Sequence, residues 1–175
     1  MRSTVKVHPV WGWLLTPATV CLAIPLYKQL HLLKKYGAAV FASIGSGVAA
    51  SVVSIFLMCR LMGLSHVNYV TLLPKSITTA IGMGVSEEAG GIVTLTVMSI
   101  ILTGVIGNVL GELVFRITGV RHPIARGLAL GTSAHAIGTA KALELGEIEG
   151  AMSSLSIAVA GLMTVIAVPI AANLI

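Results

Sequence analysis

The sequence contains no aspartate, and all six of its acidic residues are glutamates. A Ser-His-Asp triad, an aspartic dyad and an Asp-rich Mg²⁺ site are therefore excluded. Charge of either sign is scarce: 10% of the 175 residues are charged, against about 25% in a soluble domain. With 56% hydrophobic residues and a mean hydropathy of +0.99, the chain cannot present a water-facing surface all round. A soluble enzyme and a disordered chain are both excluded, and the solvent expected for this fold is lipid. Cysteine is nearly absent too. Cys21 and Cys59 lie in or beside apolar runs and read as buried thiols, and with five scattered histidines they give no metal-ligand spacing. No cofactor is expected.

What charge there is falls between apolar runs. The net charge is +5, carried by short clusters such as Lys28, Lys34 and Lys35, or Arg116, Arg121 and Arg126. These clusters lack the interleaved aromatics of a nucleic-acid surface and read as juxtamembrane anchors facing lipid headgroups. No charge occurs over 36–59, 89–111 or 150–175, runs of 24, 23 and 26 residues. About 20 apolar helical residues cross a hydrocarbon core, and backbone in lipid must bond internally, so three spanning helices are predicted. Val7 to Tyr27 is also free of formal charge, but three prolines and His8 make it a broken span.

Two stretches are different. Leu61 to Ser86 breaks around Pro74 and Lys75, and Ile124 to Glu149 breaks up around a Gly- and hydroxyl-rich centre. Ala80-Ile81-Gly82 recurs as Ala136-Ile137-Gly138 at an offset of 56, which also pairs Glu88 with Glu144 and Gly90 with Gly146. Interrupted apolar segments at corresponding positions of two halves point to a transporter's binding site. If both stretches dip in and return, the basic loops 28–35 and 112–126 share one side, as the positive-inside rule asks. The two dips would then be inverted copies. A full crossing of 61–86 is the competing topology. The expected fold is one all-α polytopic membrane domain over 1–175, with discontinuous or re-entrant helices and an inverted repeat.

Candidate site residues cluster in those breaks. Thr132, Ser133, His135 and Thr139 fall within eight residues. A helix starting there would offer free N–H groups to an anion, and an imidazole titrates near physiological pH. The alternative for His135 is a structural hydrogen bond to a carbonyl. The matching segment holds Lys75, Ser76, Thr78 and Thr79, with Pro74 at a helix start and Ser76 as its cap. Lys75 either snorkels or supplies positive charge to an anion. Gly107 and Gly111, and Gly127 and Gly131, have GxxxG spacing and read as helix-packing faces. Asn108 reads as an interhelical hydrogen bond, Glu112 and Arg116 as a surface ion pair, and Lys141, Glu144, Glu147 and Glu149 as a solvated patch. Gly45-Ser46-Gly47-Val48-Ala49-Ala50 has dinucleotide-loop spacing but sits inside a span.

The stretches LLTPATVCLAIPLYKQLHLLKKY (14–36), LLPKSITTAIGMGVSEEAGG (72–91) and HPIARGLALGTSAHAIGTAKALELGEIEGAMSSLS (122–156) resemble the CidB/LrgB family. The resemblance covers roughly residues 14–175. It implies a multi-pass inner or plasma membrane protein associated with control of murein hydrolase activity and autolysis. A plastid glycolate/glycerate carrier in the family implies small carboxylates as cargo. Family members are often encoded beside a small holin-like (CidA/LrgA-like) membrane partner. Members also carry further hydrophobic helices ahead of the TPATV-like stretch, whereas residues 1–13 look unlike the family, so upstream helices are expected to be missing. Two functions follow: a carboxylate carrier of the glycolate, glycerate or pyruvate class, or a non-transporting antiholin-like modulator acting through a holin-like partner. Self-assembly is left open, and no enzymatic activity is expected.

Overall fold

The computed structural model describes Tyr27 and residues 30–174. The broken span expected up to Tyr27, the atypical residues 1–13 and Cys21 otherwise lie outside the described residues. Among residues 30–174 six helices follow in order: α1 (Leu30–Met62), α2 (His66–Leu72), α3 (Thr79–Glu88), α4 (Val93–Thr118), α5 (Pro123–Leu145) and α6 (Glu147–Ala171), then a 3₁₀ turn, Ala172–Leu174. No strand occurs among the described residues. Lys34–Met62, Val93–Thr118 and Glu147–Leu174 are long and apolar enough to cross a bilayer. They answer to the three charge-free runs, and the protein is an all-helical polytopic membrane protein.

The packing gives each helix a direction. Val40 near the start of α1 shares a buried cluster with Ala151 and Met152 near the start of α6. Ile55 and Cys59 near its end share another with Val168 and Ala171. The helices α1 and α6 therefore run parallel, from a face carrying Lys34, Lys35, Arg116, Arg121 and Arg126 to the opposite face; α4 runs back. Its C-terminus stops at Gly119, whose φ of 71° is the left-handed conformation that ends helices.

The α2–α3 pair is a re-entrant hairpin from the opposite face. Ile92 N–H donates to Thr71 Oγ1 (2.8 Å), and Thr96 Oγ1 donates to Ser86 Oγ (2.7 Å), so both of its legs stand on the start of α4. At depth, Gly82 lies on the Pro74 carbonyl and on Ile100.

The α5 segment is the second hairpin. At His135 the backbone takes φ 43°, ψ −133° and the helix breaks. The chain then turns back, and Gly138 lies on the Leu130 carbonyl and Ala134. Gly127 and Gly131 of the first leg meet Glu149 and Ser153 of α6, while Leu143 of the second leg meets Gly150. The two legs thus run in opposite directions along the same helix, and both ends of α5 lie at the basic face. Offset by 56, Pro74 and Gly82 correspond to Leu130 and Gly138, and the same glycine-on-carbonyl contact closes each tip. The hairpins are inverted copies, each preceded by a span, and α4 stands to the first as α6 does to the second. His66 and Val120 accordingly lie at opposite faces.

Lipid tails are as apolar as leucine, so burial alone gives little drive for helix association in the bilayer. Close approach replaces it. Gly107 receives Ala134, Gly111 receives Leu130, and Gly127 and Gly131 receive the α6 backbone, so both GxxxG pairs are packing faces.

Candidate functional site

The two hairpin tips meet in the middle third of the spans, and a groove of about 770 Å³ opens beside them. Ser43, Gly47, Ser51 and Ser54 of α1 form one wall, Thr103 and Gly107 of α4 another, and Ala125, Ala129, Thr132 and Ser133 of α5 a third. Lys75 and Ser76 close it from the first tip, and Lys75 is the sole charged residue among the described groove lining. Small side chains on three helices make this space: a glycine, alanine or serine every turn leaves room that leucine would fill.

The polar groups form a connected set. Lys75 Nζ donates to Ser76 Oγ at 3.1 Å, and Ser76 Oγ shares a hydrogen with Ser51 Oγ at 3.2 Å. Ser133 Oγ donates to the Ala129 carbonyl at 2.7 Å, which leaves its lone pairs facing the groove. Thr132 is different. It is 9% exposed, and its Oγ1 is the one buried side-chain N or O among the described residues with no hydrogen-bond partner. An unpaired buried hydroxyl costs about 1–3 kcal/mol, and such groups are rare in native proteins and accompany strain, a functional role or an ordered water or ion. Behind it a void of about 10 Å³, shared by Ser51, Ser76, Thr132 and Thr164, has room for about one water.

The site residues expected from sequence divide into two groups. Lys75, Ser76, Thr132 and Ser133 converge on the groove. Thr78, Thr79, His135 and Thr139 are not among the residues that line it. The His135 ring is 4% exposed and its Nε2 lies 3.0 Å from the Ile100 carbonyl, resting on Gly104. This is the structural alternative, a clasp between the second tip and α4. Thr139 donates to the His135 carbonyl (3.0 Å), leaving Ser153 to donate to it (2.7 Å). Thr78 stands at the N-cap of α3 without a side-chain cap bond, and Ser76, expected to cap a helix, bonds to Ser51 instead. Nor does a helix begin at Thr132: it closes the first leg of α5, so no helix N-terminus points at the groove from there.

Asn108 Nδ2 donates to the Ile137 carbonyl at 2.9 Å, satisfying a backbone group beside the break. Arg116 pairs with Glu112 at 2.9 Å, and Lys141 bridges Glu112 at 3.6 Å and Glu144 at 3.2 Å, tying the second hairpin to the end of α4. Glu149, expected in a solvated patch, is 7% exposed because the first leg of α5 packs over the start of α6. Sequence reading missed Ser51, Ser43, Ser54, Thr103 and Thr164. A signal was present for α1: Ser43, Gly47, Ser51 and Ser54 recur with helical spacing inside a charge-free run.

The profile of the LrgB-like family matches residues 6–174, a stretch that includes both hairpins and the whole groove. The chain belongs to the LrgB-like family. The antiholin-like protein LrgB of Bacillus cereus is 42% identical to this LrgB-like chain over 158 residues, which are 90% of the chain and 69% of the relative. The protein of the same name from Bacillus anthracis matches to the same extent. No solved structure matches this LrgB-like chain.

Proposed function

We propose that this LrgB-like protein carries small carboxylates, of the glycolate, glycerate or pyruvate class, across the inner or plasma membrane, and that this flux underlies a role in murein hydrolase and autolysis control. The observation that carries the reading is the unpaired Thr132 hydroxyl, buried in a groove whose one charged lining group among the described residues is Lys75. A carboxylate accepts hydrogen bonds only. Lys75 and the Thr132 hydroxyl offer donors, joined by Ser51 and Ser76 once the serine pair turns toward it, and Ser133 joins them when its hydrogen leaves the Ala129 carbonyl. Among the described residues no carboxylate side chain lines the groove to repel an anion. Intramembrane ionisable residues are costly and mark substrate pathways, and inverted hairpins meeting near the midplane are the frame on which carriers build such sites. The excess of Lys and Arg where α1 and α5 begin supports a cytoplasmic side for that face.

The test is uptake of radiolabelled glycolate, glycerate and pyruvate into proteoliposomes containing the full chain. Entry of at least one above protein-free vesicles is expected, with loss in Lys75→Gln. No entry of any of the three by well-folded protein overturns the carrier reading. It would leave the reading that the relatives' antiholin-like name favours, a modulator acting through a holin-like membrane partner.

A further inference from the structure

Hydroxyls inside these helices bond back to the carbonyl one turn earlier, as those of Ser133, Ser154 and Ser156 do. Thr132 does not. Its methyl is seated on Gly47 of α1, where an added Cβ would stand 2.7 Å from Cγ2, and a β-branched side chain has little freedom at χ1. Packing across to α1 thus sets the rotamer and leaves Oγ1 without a partner. Thr132 lines the void of about 10 Å³ behind the groove, together with Ser51, Ser76 and Thr164. Thr164 of α6 is 5% exposed, and its hydroxyl too is bonded to no described residue. Hydroxyls from α1, the first tip, the first leg of α5 and α6 therefore line one small volume, and two of them are unpaired.

We infer that this void is a binding site for one ordered water, which Thr164 holds in place and which turns the Thr132 O–H toward the groove. Counting hydrogens sets the arrangement. The water donates to Thr132 Oγ1 and to Thr164 Oγ1, and it accepts the hydrogen that the Ser51–Ser76 pair has to spare until a ligand takes it. About three such bonds are usual for a buried water. With a lone pair filled from behind, Thr132 keeps its own hydrogen for the groove. A monovalent cation fits the void less well, since it takes lone pairs only. Ser76 Oγ already accepts from the Lys75 ammonium at 3.1 Å, a like charge, and no carboxylate stands among the described residues of the void to offset the repulsion. The water site stands on the void and its hydroxyls; its consequence for binding rests on the carrier reading. Thr164 is not among the groove's lining residues, so it acts there as a positioning residue.

X-ray radiolysis turns ordered water into hydroxyl radicals that oxidise the side chains beside it, and it tests the site in the detergent-solubilised full chain. Leu73 lines the void and is 2% exposed; Leu130 is equally buried and is not part of the lining. Leu73 is expected to be oxidised several-fold faster than Leu130, and to fall to the same rate in Thr132→Val. In unfolding measurements Thr132→Val and Thr164→Val should each weaken the fold. The double variant should fall short of the product of the two effects by about fivefold or more, because the shared water is lost only once. Equal oxidation of Leu73 and Leu130 in the wild type overturns the water site, and so do single effects that multiply to within about twofold. Stability that rises with Na⁺ at constant ionic strength, and no longer does in Thr132→Val, assigns the void to a cation and overturns it as well. In glycolate uptake, Thr164→Val should raise KM several-fold with kcat little changed, and Thr164→Ser should restore it. An unchanged KM overturns the positioning role. No uptake by the wild type overturns the carrier reading and the positioning role with it, while oxidation and unfolding still decide the water.

Discussion

Replacing His135 by glycine and by alanine distinguishes a helix break from a continuous helix by the sign of one difference. Inside an ordinary helix alanine is more stable than glycine by roughly 1 kcal/mol. At His135 the order should reverse. Its φ of 43° makes it the one described non-glycine residue with positive φ. Such a conformation costs an L-residue on the order of 1–3 kcal/mol, whereas glycine adopts it freely. Both variants lose the same ring, its hydrogen bond to the Ile100 carbonyl at 3.0 Å and its packing on Gly104. That shared loss cancels between them. What remains is backbone strain, kept by alanine and released by glycine. His135→Gly is therefore expected to be the more stable of the two by about 1–2 kcal/mol, after the greater entropy of glycine in the unfolded chain is subtracted. His135→Asn should fall below glycine, since ψ of −133° lies outside the left-handed well that asparagine favours. The assay is thermal or denaturant unfolding in detergent, followed by circular dichroism. An alanine variant more stable than the glycine variant would mean that α5 runs straight through residue 135, and the hairpin would be wrong.

Three further outcomes follow from the same geometry. His66→Cys and Val120→Cys should be labelled by an impermeant thiol reagent from opposite sides of the membrane; labelling from one side would restore the full crossing of 61–86. Gly131→Ala should cost at least 2–3 kcal/mol in unfolding measurements, because the added carbon meets the α6 backbone at Ser153. Gly84→Ala, in the middle of α3 with open space around it, should stabilise by up to about 1 kcal/mol; equal costs would refute the packing argument. Asn108→Leu should destabilise by about 1–2 kcal/mol in the same assay, since the Ile137 carbonyl beside the break loses its 2.9 Å donor. No loss would show that carbonyl to be satisfied elsewhere.

The sequence by itself determined the solvent, the spans and the places where function concentrates. Scarce charge forces lipid, and charge-free runs longer than 20 residues in lipid must be helices, because unbonded backbone is too costly there. The repeat was legible from Gly82 and Gly138, and the polar breaks around Ser76 and Thr132 were the right segments. The roles within them depended on the turn. A histidine among hydroxyls has the same one-dimensional signature whether it faces a ligand or a carbonyl. Only the reversal of the chain at residue 135 puts the His135 ring on Gly104 and leaves Thr132 at the groove. The small polar stripe of α1 was visible as a pattern but its role was not, since Ser51 gains a partner only when a tip 25 residues away folds back to it. Local patterning sets which segments can lie in a membrane. Which face of each helix is left for a ligand depends on contacts between distant segments, and those exist only in the folded chain.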